Sequence, residues 1–293
     1  MQRASHVWQG SRSEFQKSCA ACQARHEMVP NTQMWDVMSQ AQLKEWMLVL
    51  QARERDDLNA LVRRGIPRGF RASVWPVLLG VEESNESIEE LVAASRADGG
   101  DETVLDLDVT RMGAELERER EEVRQLCCAV LRDYPYKQGD GFMAQELLAQ
   151  MPLDGTAVGC MRVLLGEGRL QGPGVEVWGP ALEGVLAERL PELGQRLAGA
   201  RVDQAAVVVG PWLRTAYAGF LEQETVGRVW DLWLVHGFDV LLRVACVLLE
   251  RALPGLGQLT EHETLAALGP AVLAERGAAG WTAQQLVEAA LDF

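Results

Sequence analysis

The sequence predicts an all-α fold, and three observations carry that expectation. Strong period-two alternation of apolar residues, the mark of half-buried strands, is absent. Apolar residues spaced three and four apart recur through most segments after about residue 40, as one face of a helix requires. The chain has 293 residues and is 48% hydrophobic, enough to bury one or two sizeable cores.

Taken in order, residues 1–34 are polar and weakly periodic and read as an extension. Helical periodicity is clearest over Gln42–Leu61, Met112–Leu131, Gly141–Met151, Val177–Leu190, Gly210–Phe220, Val226–Val235 and Val240–Leu253. Breakers fall between these runs at Gly65-Ile66-Pro67, Asp133-Tyr134-Pro135 and Gln171-Gly172-Pro173-Gly174. The stretch Glu82–Glu102 mixes acids with Asn, Ser and a glycine pair, and predicts a helix inside a solvated insertion. Gly166–Gly174 is the next loosest stretch and marks the boundary expected between an N-terminal lobe, about 35–165, and a C-terminal lobe, about 175–293.

Charge and composition exclude several classes of function. With 42 acidic and 28 basic residues the net charge is −14, which opposes binding along nucleic acid or against an anionic membrane. No run of about 20 apolar residues is present and the first residues lack the apolar core of a secretory signal, so a cytoplasmic protein without direct membrane insertion is expected. Six cysteines are too sparse for a disulfide scaffold, and Cys127 and Cys128 sit in an apolar helical run. Cys19, Cys22 and His26 have the spacing of half a zinc site, but no second cluster supplies the remaining ligands, so no metal is expected there. His6, His236 and His262 have no metal-ligating or catalytic partners in sequence. No Walker loop, dinucleotide-binding glycine turn, nucleophile elbow or zinc-protease helix occurs, and no cofactor is expected to bind the chain itself. The run Glu115–Glu122, alternating in sign, reads as a solvated helix face.

Three short stretches stand out by their order. In Gly65–Trp75, Pro67 presets the backbone for a first helical turn, and Arg71 and Trp75, four residues apart, share one face. In Leu105–Arg111, Asp108 precedes Arg111 by three residues and in a helical turn lies beside it. In Tyr134–Gly139, Gln138 follows a proline turn and precedes a helix. Taken singly, these are a packed tryptophan with an arginine stem, a surface ion pair and a helix-start residue.

In that order, GIPRGFRASVW, LDLDVTR and YKQG resemble the three signature motifs of the TBC-domain family of Rab GTPase-activating proteins, R-x-x-x-W, I-x-x-D-x-x-R and Y-x-Q. Arg71 and Trp75 match the first, Asp108 and Arg111 the second with Leu105 for its isoleucine, and Tyr136 and Gln138 the third. Pro211-Trp212-Leu213 and the segment from Arg228 through Trp230 and Asp231 to Trp233 resemble the family's C-terminal lobe. The likeness runs from about Trp35 to the C-terminus, with departures where Asp140-Gly141 replaces the usual Met-Asn after Gln-Gly, and where His236 stands for the usual acid before Gly237.

The resemblance implies two helical lobes and a GTPase-activating role in vesicle trafficking, directed at a Rab-type small GTPase in its GTP-bound state. Magnesium and GTP would come with that partner. It further implies that Arg111 and Gln138 act in trans as arginine and glutamine fingers and that Asp108 orients Arg111. Tyr136 and Gly139 would hold the loop, with Arg71, Trp75, Arg228, Trp230 and Asp231 as supports. A non-catalytic Rab-binding or scaffolding module on the same fold is the second reading.

Overall fold

In a computed structural model, the described residues are 40–52, 55–97, 102–112, 117–166, 170, 172, 175–192, 195, 204–252 and 281–293. Helices account for the regular structure, and no strand occurs among the described residues. They are α1 (Gln40–Ala52), α2 (Arg55–Arg64), α3 (Arg71–Leu79), α4 (Ile88–Ala97), α5 (Thr103–Arg111), α6 (Glu117–Val130) and α7 (Asp140–Gln150). They continue as α8 (Gly155–Leu165), α9 (Val175–Arg189), α10 (Gln204–Arg214), α11 (Gln223–His236), α12 (Asp239–Ala252) and α13 (Ala283–Asp292). The expected extension, with Cys19, Cys22, His26 and His6, lies outside the described residues, as does His262. No described helix is long and apolar enough to cross a membrane.

Helix ends follow local chemistry. The Asp154 side chain accepts from the Ala157 backbone N–H at 2.9 Å and starts α8. Thr282 and Gln285 form a reciprocal capping box at the start of α13. Gly80, at φ +73°, closes α3 in the left-handed conformation that a side chain disfavours.

Two helices organise the packing. Helix α6 begins with the charged run, exposed or half-exposed from Glu117 to Glu122, and ends in Leu126, Cys127, Cys128, Ala129 and Val130, all buried. That apolar end packs on α4, α5, α7 and α8. Helix α11 is buried along nearly its whole length from Thr225 to Leu234 and packs on α2, α3, α7, α12 and α13. It therefore ties the N-terminal helices to the C-terminal ones. The Trp75 and Trp230 ring centroids lie 5.4 Å apart with the rings tilted by 34°, and Trp233 meets Trp230 edge-on at 5.3 Å. Trp75, Trp212 and Trp230 are all buried, as their places on apolar faces predict.

The structure corrects three expectations about elements. The helix expected within Glu82–Glu102 forms at 88–97 with most of its residues exposed, but one face is not solvated: Ile88, Val92 and Ser95 are buried where α4 packs on α6. Met112 does not start a helix, because it is the extended C-terminal cap of α5, and α6 begins at Glu117. The helix expected through Phe220 stops at Arg214, where a turn follows with Ala216 at φ 46° and Tyr217 at φ 70°. Non-glycine residues adopt positive φ only when surrounding contacts hold them there. Here the Trp230 indole N–H donates to the Ala216 carbonyl at 2.9 Å and the Tyr217 hydroxyl to the Leu241 carbonyl at 2.7 Å.

Candidate functional site

Helix α5 carries Asp108 and ends at Arg111. Leu105, Asp108, Val109 and Met112 are buried, at the spacing of one helical face, and that face packs on α6 and α7. On the outside, Arg124 of α6 pairs with Glu102 and bonds Asp106 at 2.8 Å, while Arg96 of α4 reaches Glu102 at 2.7 Å. Single exposed pairs contribute little. This network joins α4 and α6 to the N-terminal end of α5.

The loop 136–139 leads into α7 and meets α5 through Asp108. The Asp108 carboxylate accepts from the Tyr136 hydroxyl at 3.1 Å and from the Gly139 N–H at 3.2 Å. The same Tyr136 hydroxyl accepts from the Gly141 N–H at 3.1 Å. Burial raises the Tyr136 phenol above its ordinary range, so it stays protonated and able to donate. Two glycines make the approach possible. Gly139 sits at φ +104°, and a Cβ there would lie 2.9 Å from the Thr215 methyl. A Cβ on Gly141 would lie 3.0 Å from both the Tyr136 hydroxyl and the Met112 sulfur.

Gln138, between these anchored residues, is exposed. Asp140, the acid that departs from the family pattern, turns inward: it is 6% exposed and accepts from the Lys137 N–H at 2.8 Å. Burial pushes its carboxyl above the ordinary range, while that hydrogen bond and the Arg214 charge draw it back.

The other singled-out residues gather in the interior. Asp231 of α11, fully buried, accepts from Arg71 Nε at 3.0 Å, from Arg71 Nη2 at 3.1 Å and from the Trp75 indole N–H at 2.9 Å. Arg228 lies 3.8 Å from the same carboxylate, donates to the Arg63 carbonyl at 2.7 Å and bonds Gln284 of α13 at 2.9 Å. Glu224 approaches Arg71 at 3.8 Å. A Cβ on Gly227 would come 2.5 Å from an Arg71 nitrogen, so the guanidinium fills the space that glycine leaves.

Sequence spacing thus singled out two groups that the fold separates. Asp108, Tyr136 and Gly139 converge beside Gln138, and the end of α5 brings Arg111 one turn beyond Asp108. Arg71, Trp75, Arg228, Trp230 and Asp231 form the buried joint. Spacing missed Arg214, which donates from Nε to the Gln138 carbonyl at 2.7 Å across 76 positions. It also missed Gln284 and the Arg63 carbonyl as partners of Arg228; separations of 56 and 165 positions leave no local signal. The thiols of Cys127, Cys128, Cys160 and Cys246 are buried and free, and burial raises each above its ordinary value. Among the described residues no cluster of His, Cys, Asp and Glu has the makings of a metal site.

Fold and rim together define an all-α domain that presents a helix end and a glycine-rich turn side by side. Residues 68–256, more than half of the chain, match the family model of the Rab-GTPase-TBC domain, and the chain belongs to that family. It is 26% identical over 223 residues to the Drosophila melanogaster ecotropic viral integration site 5 ortholog, covering 71% of this chain and 27% of that protein. To the Caenorhabditis elegans Rab GTPase-activating protein eat-17 it is 25% identical over 239 residues, covering 75% of this chain and 26% of the relative. The chain therefore spans about a quarter of the length of these two relatives. Among solved structures, the Chlamydomonas flagellar RabGAP TBC domain superposes with a TM-score of 0.71 at 18% identity, covering 97% of this chain and 96% of that one. At that identity the likeness speaks for the fold.

Proposed function

We propose that this chain is a GTPase-activating protein for a Rab-type small GTPase in its GTP-bound state, and that it supplies Arg111 and Gln138 in trans. The observation that carries the proposal is the double acceptance by Asp108. One turn before Arg111, its carboxylate takes a hydrogen bond from Tyr136, two residues before Gln138, and another from Gly139, directly after it. The backbones that carry the two candidate fingers are thereby held to one acceptor.

The chemistry suits those residue types. Phosphoryl transfer spreads negative charge over the transferred group, and an arginine supplied by a partner accelerates hydrolysis by about 10³ to 10⁵. A planar guanidinium binds two oxygens at once, as the point charge of lysine does not. The second need is an amide that orients the attacking water, and the exposure of Gln138 supports that role. Magnesium and nucleotide arrive with the GTPase, and the chain contributes positioning and charge. The inward turn of Asp140 supports the catalytic reading, since its carboxylate is spent on the Lys137 amide within the loop.

The test is a hydrolysis screen of the purified chain over a panel of GTP-loaded Rab proteins. At least one should be stimulated by about 10³-fold or more at saturating chain. Tight binding to a GTP-loaded Rab with no stimulation of any member would make the chain a non-catalytic Rab-binding module instead.

A further inference from the structure

We propose that Arg214 is a positioning residue for Gln138, clamping the glutamine's own peptide group from α10 while Asp108 clamps it from α5. This rests on the reading of Gln138 as the water-orienting amide. The Gln138 carbonyl and the Gly139 N–H are the two ends of one planar peptide unit, and in a trans peptide they point in opposite directions. Arg214 Nε holds the carbonyl end at 2.7 Å and the Asp108 carboxylate holds the amide end at 3.2 Å. One peptide plane is thus fixed at both edges by charged groups from two different helices. Both bonds are charge-assisted and directional.

The clamp matters because of the residue on its far side. Glycine accepts positive and negative φ with similar ease, so the plane between Gln138 and Gly139 has no intrinsic reason to stay where it is. If it rotates, the backbone from which the Gln138 side chain projects turns with it. An exposed side chain has little packing to restore its direction.

The Arg214 side chain is exposed, but the backbone that carries it is firmly seated. Arg214 is the last residue of α10, and the turn behind it is locked by the Tyr217 N–H on the Trp212 carbonyl at 2.8 Å and by the Trp230 indole on the Ala216 carbonyl at 2.9 Å. Ala216 and Tyr217 hold positive φ in that turn, a strained arrangement kept by its surroundings and of the kind found where a backbone aims a functional group. The Thr215 methyl occupies the space beside Gly139 where a Cβ would lie at 2.9 Å, so α10 meets the loop by shape as well as by charge. The negative charge of Asp140 next to the clamp gives Arg214 a second reason to stay.

Arg214→Ala and Arg214→Lys in the full chain test the assignment, with kcat and KM measured on a Rab that the wild type stimulates and amide hydrogen exchange measured at Gly139 without any GTPase. Arg214→Ala should lower kcat about tenfold with KM changed by less than about twofold, the pattern of a lost positioning contact, with Tm unchanged. Gly139 exchange should accelerate, and Arg214→Lys, which keeps a charged donor, should recover part of both losses. A rise in KM at unchanged kcat would make Arg214 a contact to the GTPase and overturn the role. Unchanged exchange at Gly139 in Arg214→Ala would overturn the clamp whatever the kinetics. Faster exchange in a chain whose wild type stimulates no Rab would leave the clamp standing and overturn the catalytic reading of Gln138 on which the role rests.

Discussion

Two buried carboxylates, Asp231 and Asp108, each gather donors from distant parts of the chain, and they differ in what those donors carry. Asp231 is sealed in the interior, and its donors are the fork of Arg71 and the Trp75 indole. Asp108 is buried just beneath the rim, and its described donors are a phenol and a backbone amide beside an exposed glutamine. Charge meeting charge in the interior joins α3 to α11, and with Arg228 it reaches α2 and α13. Neutral donors at the rim shape a loop without committing the side chain that the loop displays. One set of motifs holds the body; the other aims a turn.

The largest expected effect lies in the interior. Asp231→Ala would leave the Arg71 and Arg228 guanidiniums buried without their carboxylate and should cost about 3 to 5 kcal/mol, a large share of the total of about 5 to 15 kcal/mol typical of a domain. Chemical denaturation measures it, and a loss under about 1 kcal/mol would mean that the joint does not carry the stability assigned to buried ion pairs of this kind.

A smaller effect, of opposite sign, is expected at the rim. Burial raises the Asp140 carboxyl above its ordinary value of 3.8, so the folded state disfavours its charged form. Asp140→Asn keeps an acceptor for the Lys137 amide and removes that charge, and should be at least as stable as wild type at pH 7. A raised folded value means that the penalty is present at high pH and disappears as the carboxyl protonates. The difference between variant and wild type should therefore shrink as pH falls toward 3.8. A difference that grows on acidification would show that the Asp140 charge stabilises the loop.

Much of this comparison was legible in the sequence, and the failures are instructive. Arg71, Trp75, Asp108, Tyr136 and Asp231 could be singled out because they fall in short motifs whose spacing and order resemble the family's signatures. Helix α8 was not, since Gly155, Ala157, Val158, Cys160, Met161 and Leu164 are buried on so much of its surface that no polar face marks the period. Its Asp154 cap was the readable signal. The end of α10 at Arg214 carries no glycine or proline warning, because the turn is set by Trp230 and Leu241, contacts that close only after folding. Arg214 itself was invisible for the same reason: its partner is a backbone carbonyl, which no side-chain pattern encodes.

On the proposed mechanism, Arg111 supplies transition-state charge from the end of a helix that Asp108 ties to the Gln138 loop. The direct measurement is the stimulated hydrolysis rate of Arg111→Ala against wild type, on one Rab that the wild type activates and at saturating chain. Stimulation should fall by about 10³-fold or more with Tm unchanged, and Arg111→Lys should rescue it poorly. Near-normal stimulation by Arg111→Ala would contradict that mechanism.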